Sequence, residues 1–195
     1  MTLNLPNRLT LLRLLLTPLV IVLIVVPLPV SEFVWRFSAA FVFSLLAVTD
    51  TVDGHLARKR GQITEFGKLM DPLADKLLIL GSLTAILIRQ WGERPFRLLL
   101  LCSLAVILLR ELAVTVLRLL ILRKGGRVIP ASLPGKIKTT AQDICVVLLL
   151  LAGLLPQPFA DIVRCPALIL TALLTVWSGL CFWRGNRLRF SSAKK

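Results

Sequence analysis

Residues 50–75 read DTVDGHLARKRGQITEFGKLMDPLAD, a polar interruption between two long apolar runs. Asp50 and Asp53 stand three residues apart, Asp71 and Asp75 four apart, so on a helix each pair shares a face. Both pairs abut apolar sequence, where an ionised carboxylate is costly unless something compensates it. Carboxylates gathered at one spot repel one another unless cations sit between them, and a divalent-metal site resolves that repulsion. Oxygen donors of this kind suit hard cations such as Mg²⁺ or Mn²⁺ better than zinc. Gly54 and Ala57 follow the first pair and allow a ligand to approach the backbone closely, and Arg58 offers a planar cationic fork for phosphate. Acids, small residues and an arginine together describe a metal–diphosphate cradle. His55, the only histidine, sits within this stretch and reads as a bystander.

Outward from the aspartates, the chain reads as membrane. Of its 195 residues, 56% are hydrophobic, and the mean hydropathy is +0.84. A soluble domain cannot hide that much apolar surface, so the bilayer is the expected solvent. Six apolar runs near 8–28, 33–55, 71–90, 97–123, 136–155 and 162–183 are long enough to cross, at about 20 residues each. Pro27, Pro29, Pro95, Pro130, Pro134, Pro156, Pro158 and Gly185 fall in or beside the breaks. The first run ends in Val25-Val26-Pro27-Leu28-Pro29 with no small-residue cleavage site, which predicts a retained span. The expectation is an all-α integral membrane protein, a single six-helix domain over residues 1–195.

Charge orients this bundle. Lys and Arg total 24 against 10 acids, a formal charge of +14, and the basic residues lie in short loops between apolar runs. That distribution fits lipid headgroups and topology signals, and no nucleic-acid partner is expected. With six spans, both termini share a side with Arg58, Lys59, Arg60, Lys68, Lys76, Arg123, Lys124, Arg127, Lys136, Lys138 and the basic tail. The other side holds only Arg36, Arg89, Arg94, Arg97 and Arg164. The positive-inside bias therefore makes both termini cytoplasmic and places the active site at the cytoplasmic membrane boundary. Cys102, Cys145, Cys165 and Cys181 have no metal-ligand spacing and read as small buried hydrophobes.

The pattern D-x2-D-G-x2-A-R-x8-G-x3-D-x3-D, filled here by Asp50, Asp53, Gly54, Ala57, Arg58, Gly67, Asp71 and Asp75, resembles the signature of the CDP-alcohol phosphatidyltransferases. Simple ion pairing of the acids with Arg58, Lys68 or Lys76 would not require the glycines, the alanine and this spacing. The resemblance implies transfer of a phosphatidyl group from a CDP-linked lipid to an alcohol, with release of CMP. It implies metal ligands at Asp50, Asp53, Asp71 and Asp75 and two bound ions of Mg²⁺ or Mn²⁺; spacing does not distinguish the ligands from the proton acceptor. It further implies Asp75 as general base with Asp71 beside it in catalysis, CDP-lipid binding by Gly54, Ala57, Arg58 and Gly67, and a homodimer.

A second cluster concerns the acceptor. Arg110, Glu111 and Arg118 lie inside an apolar run, and an intramembrane arginine is a functional hypothesis by default. With Lys136 and Lys138 across the next loop, Arg110 and Arg118 form a candidate pocket for an acceptor that carries a phosphate. An uncharged acceptor would not offset the burial of so much positive charge. Arg110 with Glu111 also reads as a local ion pair, and the two lysines as ordinary positive-inside residues. Taken together with Gly135, Thr139 and Gln142, and with the opening Leu5-Pro6-Asn7-x2-Thr10-x2-Arg13, these residues resemble the bacterial phosphatidylglycerophosphate synthase subgroup. That resemblance implies CDP-diacylglycerol as donor, sn-glycerol 3-phosphate as acceptor, a CDP-lipid role for Asn7 and Thr10, and a multi-pass location in the bacterial cytoplasmic (inner) membrane among its lipids. The same chemistry with inositol phosphate, or with phosphatidylglycerol in cardiolipin synthesis, stands as the near alternative. An ion-coupled transporter stands as the remote one, and it predicts acids near the bilayer midplane on broken helices.

Overall fold

In the computed structural model, residues 5–26, 29–59, 65–89, 94–123 and 133–192 are described, with side chains for 10–26, 29–49, 70–89, 94–121, 123 and 133–186. They form six helices: α1 (Leu5–Val25), α2 (Glu32–Lys59), α3 (Glu65–Ile88), α4 (Arg94–Arg123), α5 (Leu133–Ala152) and α6 (Phe159–Ser192). Each expected apolar run falls on one of them. Neighbour packing closes a ring in the order α1, α2, α5, α6, α4, α3, and α3 also reaches across to α2 and α5. The aspartate-bearing helix is thus the one that touches most of the bundle.

Apolar side chains face both ways, as they must when the surroundings are lipid. Phe43, Leu78, Leu83, Ile107, Leu149 and Leu168 fill the interior, while Phe41, Leu98, Leu109, Ile162 and Leu173 point outward. Three segments, Glu32–Thr49, Arg94–Ile121 and Phe159–Asn186, are long and apolar enough to cross a membrane among the described residues, and α1 has a shorter apolar stretch, Thr10–Val25. Buried Ser82, Ser103, Thr171, Thr175 and Ser178 lie between helices, where small polar residues permit close approach. Gly81 does this for α1 and α3: a Cβ there would stand 2.6 Å from Ile21 Cδ1.

Helix ends depart from the expected runs. Gly185 does not end α6, which continues to Ser192. One glycine costs a helix interior only about 1 kcal/mol, and Asn186 Nδ2 donates to the Phe182 carbonyl at 2.9 Å just beyond it. Pro18, Pro72 and Pro166 likewise lie inside helices. Neighbouring helices and local adjustments satisfy the freed carbonyls in such settings. Of the cysteines, Cys145 is buried as expected, but Cys102 faces outward on α4, because a residue on the lipid-facing stripe needs only to be apolar.

At the bundle end where α1, α3 and α5 finish, arginines and Trp35 meet the helix termini. Trp35 Nε1 donates to the Leu23 carbonyl, and Arg89 Nη1 donates to the Val25 carbonyl at 3.1 Å. Arg89 lies 4.3 Å from the Trp35 ring centre, with Arg36 at 5.4 Å. These donors satisfy carbonyls that the last turn of α1 leaves open and place positive charge at the negative end of its dipole. Arg36 is held by Glu32 through bonds of 2.9 and 2.6 Å and fills the room that Gly153 leaves at the end of α5.

That fit yields a test. A Cβ at Gly153 would stand 1.5 Å from Arg36 Nη1 and 2.1 Å from Cζ, so the whole buried guanidinium must move and strain its Glu32 contact. Gly153→Ala should destabilise the bundle by about 1–3 kcal/mol, read as a lower melting temperature in detergent. In an Arg36→Ala background the same change should cost markedly less, since the two side chains compete for one space.

Candidate active site

The site begins on α3. Asp71 and Asp75 are one helical turn apart and both half-buried, so their carboxylates share a face. Thr10, buried on α1, donates its hydroxyl to Asp71 Oδ1 at 2.5 Å. This bond spends one lone pair of Asp71 and fixes its plane, while the second oxygen keeps its acceptor capacity. Asp75 lies within electrostatic reach of Lys138 on α5. The helix that carries the carboxylates is therefore stitched to α1 on one flank and faces α5 on the other.

Next along the chain, Lys76 donates to Thr115 Oγ1 on α4 at 2.9 Å, and its Nζ lies 3.5 Å from Glu111 Oε2. Glu111 is buried at 8% exposure and is the hub of the region. Its Oε1 accepts from Arg110 Nη1 at 2.9 Å and from Lys138 Nζ. Arg110 Nη2 donates to Ser178 Oγ on α6 at 2.8 Å, and Thr115 Oγ1 donates to the Glu111 carbonyl at 2.7 Å. Gln142 Nε2 donates to Thr175 Oγ1 at 3.1 Å, joining α5 to α6 one turn beyond Lys138. Counted along α3 and α4, Asp71 and Glu111 both lie about 26 Å from the end of the bundle where Trp35 sits. Carboxylates and cations thus occupy one level of the ring.

The structure brings together Arg110 and Lys138 from the expected basic pocket, with Glu111 between them. Lys136 and Arg118 stand differently. Residues two apart on a helix do not share a face, so Lys138 turns inward while Lys136 is exposed. Arg118 is exposed too, its guanidinium 5.9 Å from the Phe182 ring centre. Sequence reasoning missed Lys76, Thr115 and Ser178. Their role arises only from contacts between helices, which no spacing within one run displays.

As for a metal, Asp71 and Asp75 supply hard oxygen donors on one face, and a hydroxyl orienting one of them is the second-layer support that ligating carboxylates usually have. Among the described residues, no group of three or more His, Cys, Asp or Glu side chains gathers. The backbone carries Asp50 and Asp53 in the last turns of α2, which packs on α3. The backbone also places Gly54, His55, Ala57 and Arg58 on α2, Gly67 on α3 and Asn7 on α1, and the side chains at all these positions lie outside the described ones. The donor set on α3 fits a hard divalent ion.

Comparison with known proteins agrees in extent. Residues 3–177 match the family model described as CDP-alcohol phosphatidyltransferase. The chain is 38% identical over 195 residues to the CDP-diacylglycerol–glycerol-3-phosphate 3-phosphatidyltransferase of Bacillus subtilis, covering 94% of this chain and 95% of that protein. It is 34% identical to the protein of the same name from Shigella flexneri and 33% to that from Escherichia coli, in each case over 187 residues, 96% of this chain and 97% of the relative.

The Thr10–Asp71 bond can be probed without turnover. Thr10→Val keeps the shape and removes the donor. The Mg²⁺ or Mn²⁺ concentration that half-maximally raises the melting temperature of the purified protein should increase about 10-fold, and Thr10→Ser should restore it. An unchanged midpoint in Thr10→Val would show that the hydroxyl does not serve an ion site.

Proposed function

This chain belongs to the CDP-alcohol phosphatidyltransferase family, and from that premise we propose that it transfers the phosphatidyl group of CDP-diacylglycerol to sn-glycerol 3-phosphate, giving phosphatidylglycerophosphate and CMP. Near-full-length similarity to relatives named for that reaction supports the donor and the chemistry. The observation that carries the acceptor is the set of Lys76, Arg110 and Lys138 around a single carboxylate, with Asp75 in electrostatic reach. Buried cations in excess of acids match a phosphorylated alcohol and do not match a neutral one.

In the reaction, the acceptor's hydroxyl oxygen attacks the phosphorus that bears the diacylglycerol. A new P–O bond forms, the bond from that phosphorus to the bridging oxygen breaks, and CMP leaves with the bridging oxygen. Asp75 takes the hydroxyl proton as general base. Gly54, Ala57, Arg58 and Gly67, with Asn7, receive the CDP-lipid, and Thr10 serves it by fixing Asp71. Arg110 and Lys138 hold the acceptor phosphate, and the exposed Arg118 and Lys136 add positive charge around the approach to it. Mg²⁺ or Mn²⁺, as two ions held by Asp50, Asp53, Asp71 and Asp75, would neutralise the diphosphate and the departing CMP.

The same reading makes all six helices spans of one domain in the bacterial inner membrane, with both termini cytoplasmic and a homodimer as the assembly. Support for the orientation is the excess of Lys and Arg on the aspartate side.

Purified protein given CDP-diacylglycerol and glycerol 3-phosphate, inositol phosphate or phosphatidylglycerol in turn should yield a product of the mass of phosphatidylglycerophosphate with the first alone. Exclusive use of either other acceptor would overturn the acceptor assignment and leave the phosphatidyl transfer standing. Excess EDTA should abolish turnover, with recovery on adding Mg²⁺ or Mn²⁺. Asp75→Asn, which keeps the size and loses the base, should lower kcat on the order of 10²-fold or more. Near-normal turnover in that variant would remove Asp75 from the chemistry.

A further inference from the structure

We propose that Glu111 is a positioning residue that arranges the acceptor-phosphate site and that Lys76 is a third cation of that site, an inference that rests on the acceptor reading above. The four groups come from three helices: Lys76 from α3, Arg110 and Glu111 from α4, and Lys138 from α5. Three cations surround the one carboxylate of Glu111, and with Asp75 in electrostatic reach of Lys138 the region still keeps a surplus of one positive charge. Their side chains are largely withdrawn from solvent, with relative exposures of 32% for Lys76, 14% for Arg110, 6% for Lys138 and 10% for Glu111. A purely structural ion cluster in such a place would balance its charge, because uncompensated buried charge is costly. A phosphomonoester carries about −1.5 to −2 near neutral pH. The surplus of positive charge therefore points to an anionic partner, which a phosphomonoester supplies.

Geometry agrees with charge. Each Lys has three donors and Arg five. Lys76 has Thr115 on one side and Glu111 on the other, and Arg110 spends one nitrogen on Glu111 and another on Ser178. Arg110 Nε makes no hydrogen bond among the described residues. Arg110 and Lys76 are thus held at one end by a hydroxyl and at the other by Glu111, with donors to spare. One carboxylate sets the spread of all three cations. Lys76 follows Asp75 directly on α3, so both lie at the same level of the bundle.

Glu111 and Lys76 are separable by experiment, because phosphate capture needs charge whereas transfer also needs orientation. Inorganic phosphate is the probe of capture, read both as a competitive inhibitor against glycerol 3-phosphate and as a stabiliser in a thermal-shift titration. Lys76→Met should raise the phosphate midpoint and the KM for glycerol 3-phosphate about 10-fold, with the KM for CDP-diacylglycerol nearly unchanged. Glu111→Gln should lower kcat about 10- to 100-fold while the phosphate midpoint stays near the wild-type value or falls. Glu111→Asp, which retains the charge at shorter reach, should recover part of kcat, and it carries the same measurements if Glu111→Gln does not fold.

An unchanged phosphate midpoint in Lys76→Met removes Lys76 from the site. Equal loss of both substrates in the Glu111 variants, or a phosphate midpoint that rises as far as in Lys76→Met, makes Glu111 structural or part of capture and overturns its positioning role. The thermal-shift arm needs no turnover. If the wild type used another acceptor, the phosphate response and its loss in Lys76→Met would still be read, so failure of the acceptor reading is told apart from failure of this one.

Discussion

An ion inside an apolar bundle is stable only beside a partner, and Glu111 is where this protein meets that constraint across three helices. In water the attraction between two such charges is worth about 1 kcal/mol at 4 Å, and it grows several-fold as the effective dielectric falls. Removing the carboxylate from the centre would leave Arg110 and Lys138 facing each other with no anion between them. The relative placement of α3, α4 and α5 therefore depends on one side chain, since sliding any of these helices by a turn would strand a cation. Apolar packing alone is less selective: Leu against Leu tolerates a shift that Lys against Glu does not. The Thr10–Asp71 bond extends the same registration to α1.

The two ends of the bundle use arginine differently. At the end where α1 and α5 finish, Arg89 and Arg36 are absorbed by helix termini, by Trp35 and by Glu32, and Arg164 lies over Phe96, 5.3 Å from its ring centre. Their charge answers helix dipoles and aromatic faces, so it is already committed to the fold. At the level of the aspartates, cations converge on one acid and outnumber it. Positive charge there is in surplus. The contrast separates arginines committed to helix ends and aromatic faces from cations in surplus around an acid, which a count of basic residues on each side does not do.

Much of this was legible in the chain. Six apolar runs became six helices, and the distances of three and four residues between aspartates put each pair on one helix face, as α3 shows for Asp71 and Asp75. What escaped was whatever depends on neighbours. Gly185 reads as a stop, yet α6 runs through it because one glycine is a small cost against a long packed helix. Lys136 and Lys138 read as a pair, yet a spacing of two turns one inward and the other outward. Glu111 read as the companion of Arg110 next to it, and only the fold shows Lys76 and Lys138 arriving from other helices. Thr10 read as a ligand-binding residue, and the structure buries it against a carboxylate.

An acid at the heart of the proposed phosphate site looks counterproductive, since it repels the ligand. The balance favours it nonetheless. Three cations packed without an anion would repel one another, and lysines in that position relieve the repulsion by losing protons or swinging toward water. Either response forfeits the charge the ligand needs. The Glu111 carboxylate draws all three cations toward the interior while cancelling only one of them. In the proposed acceptor site, an acid at the centre lets three helices pack before any substrate arrives and leaves a positive surplus for its phosphate.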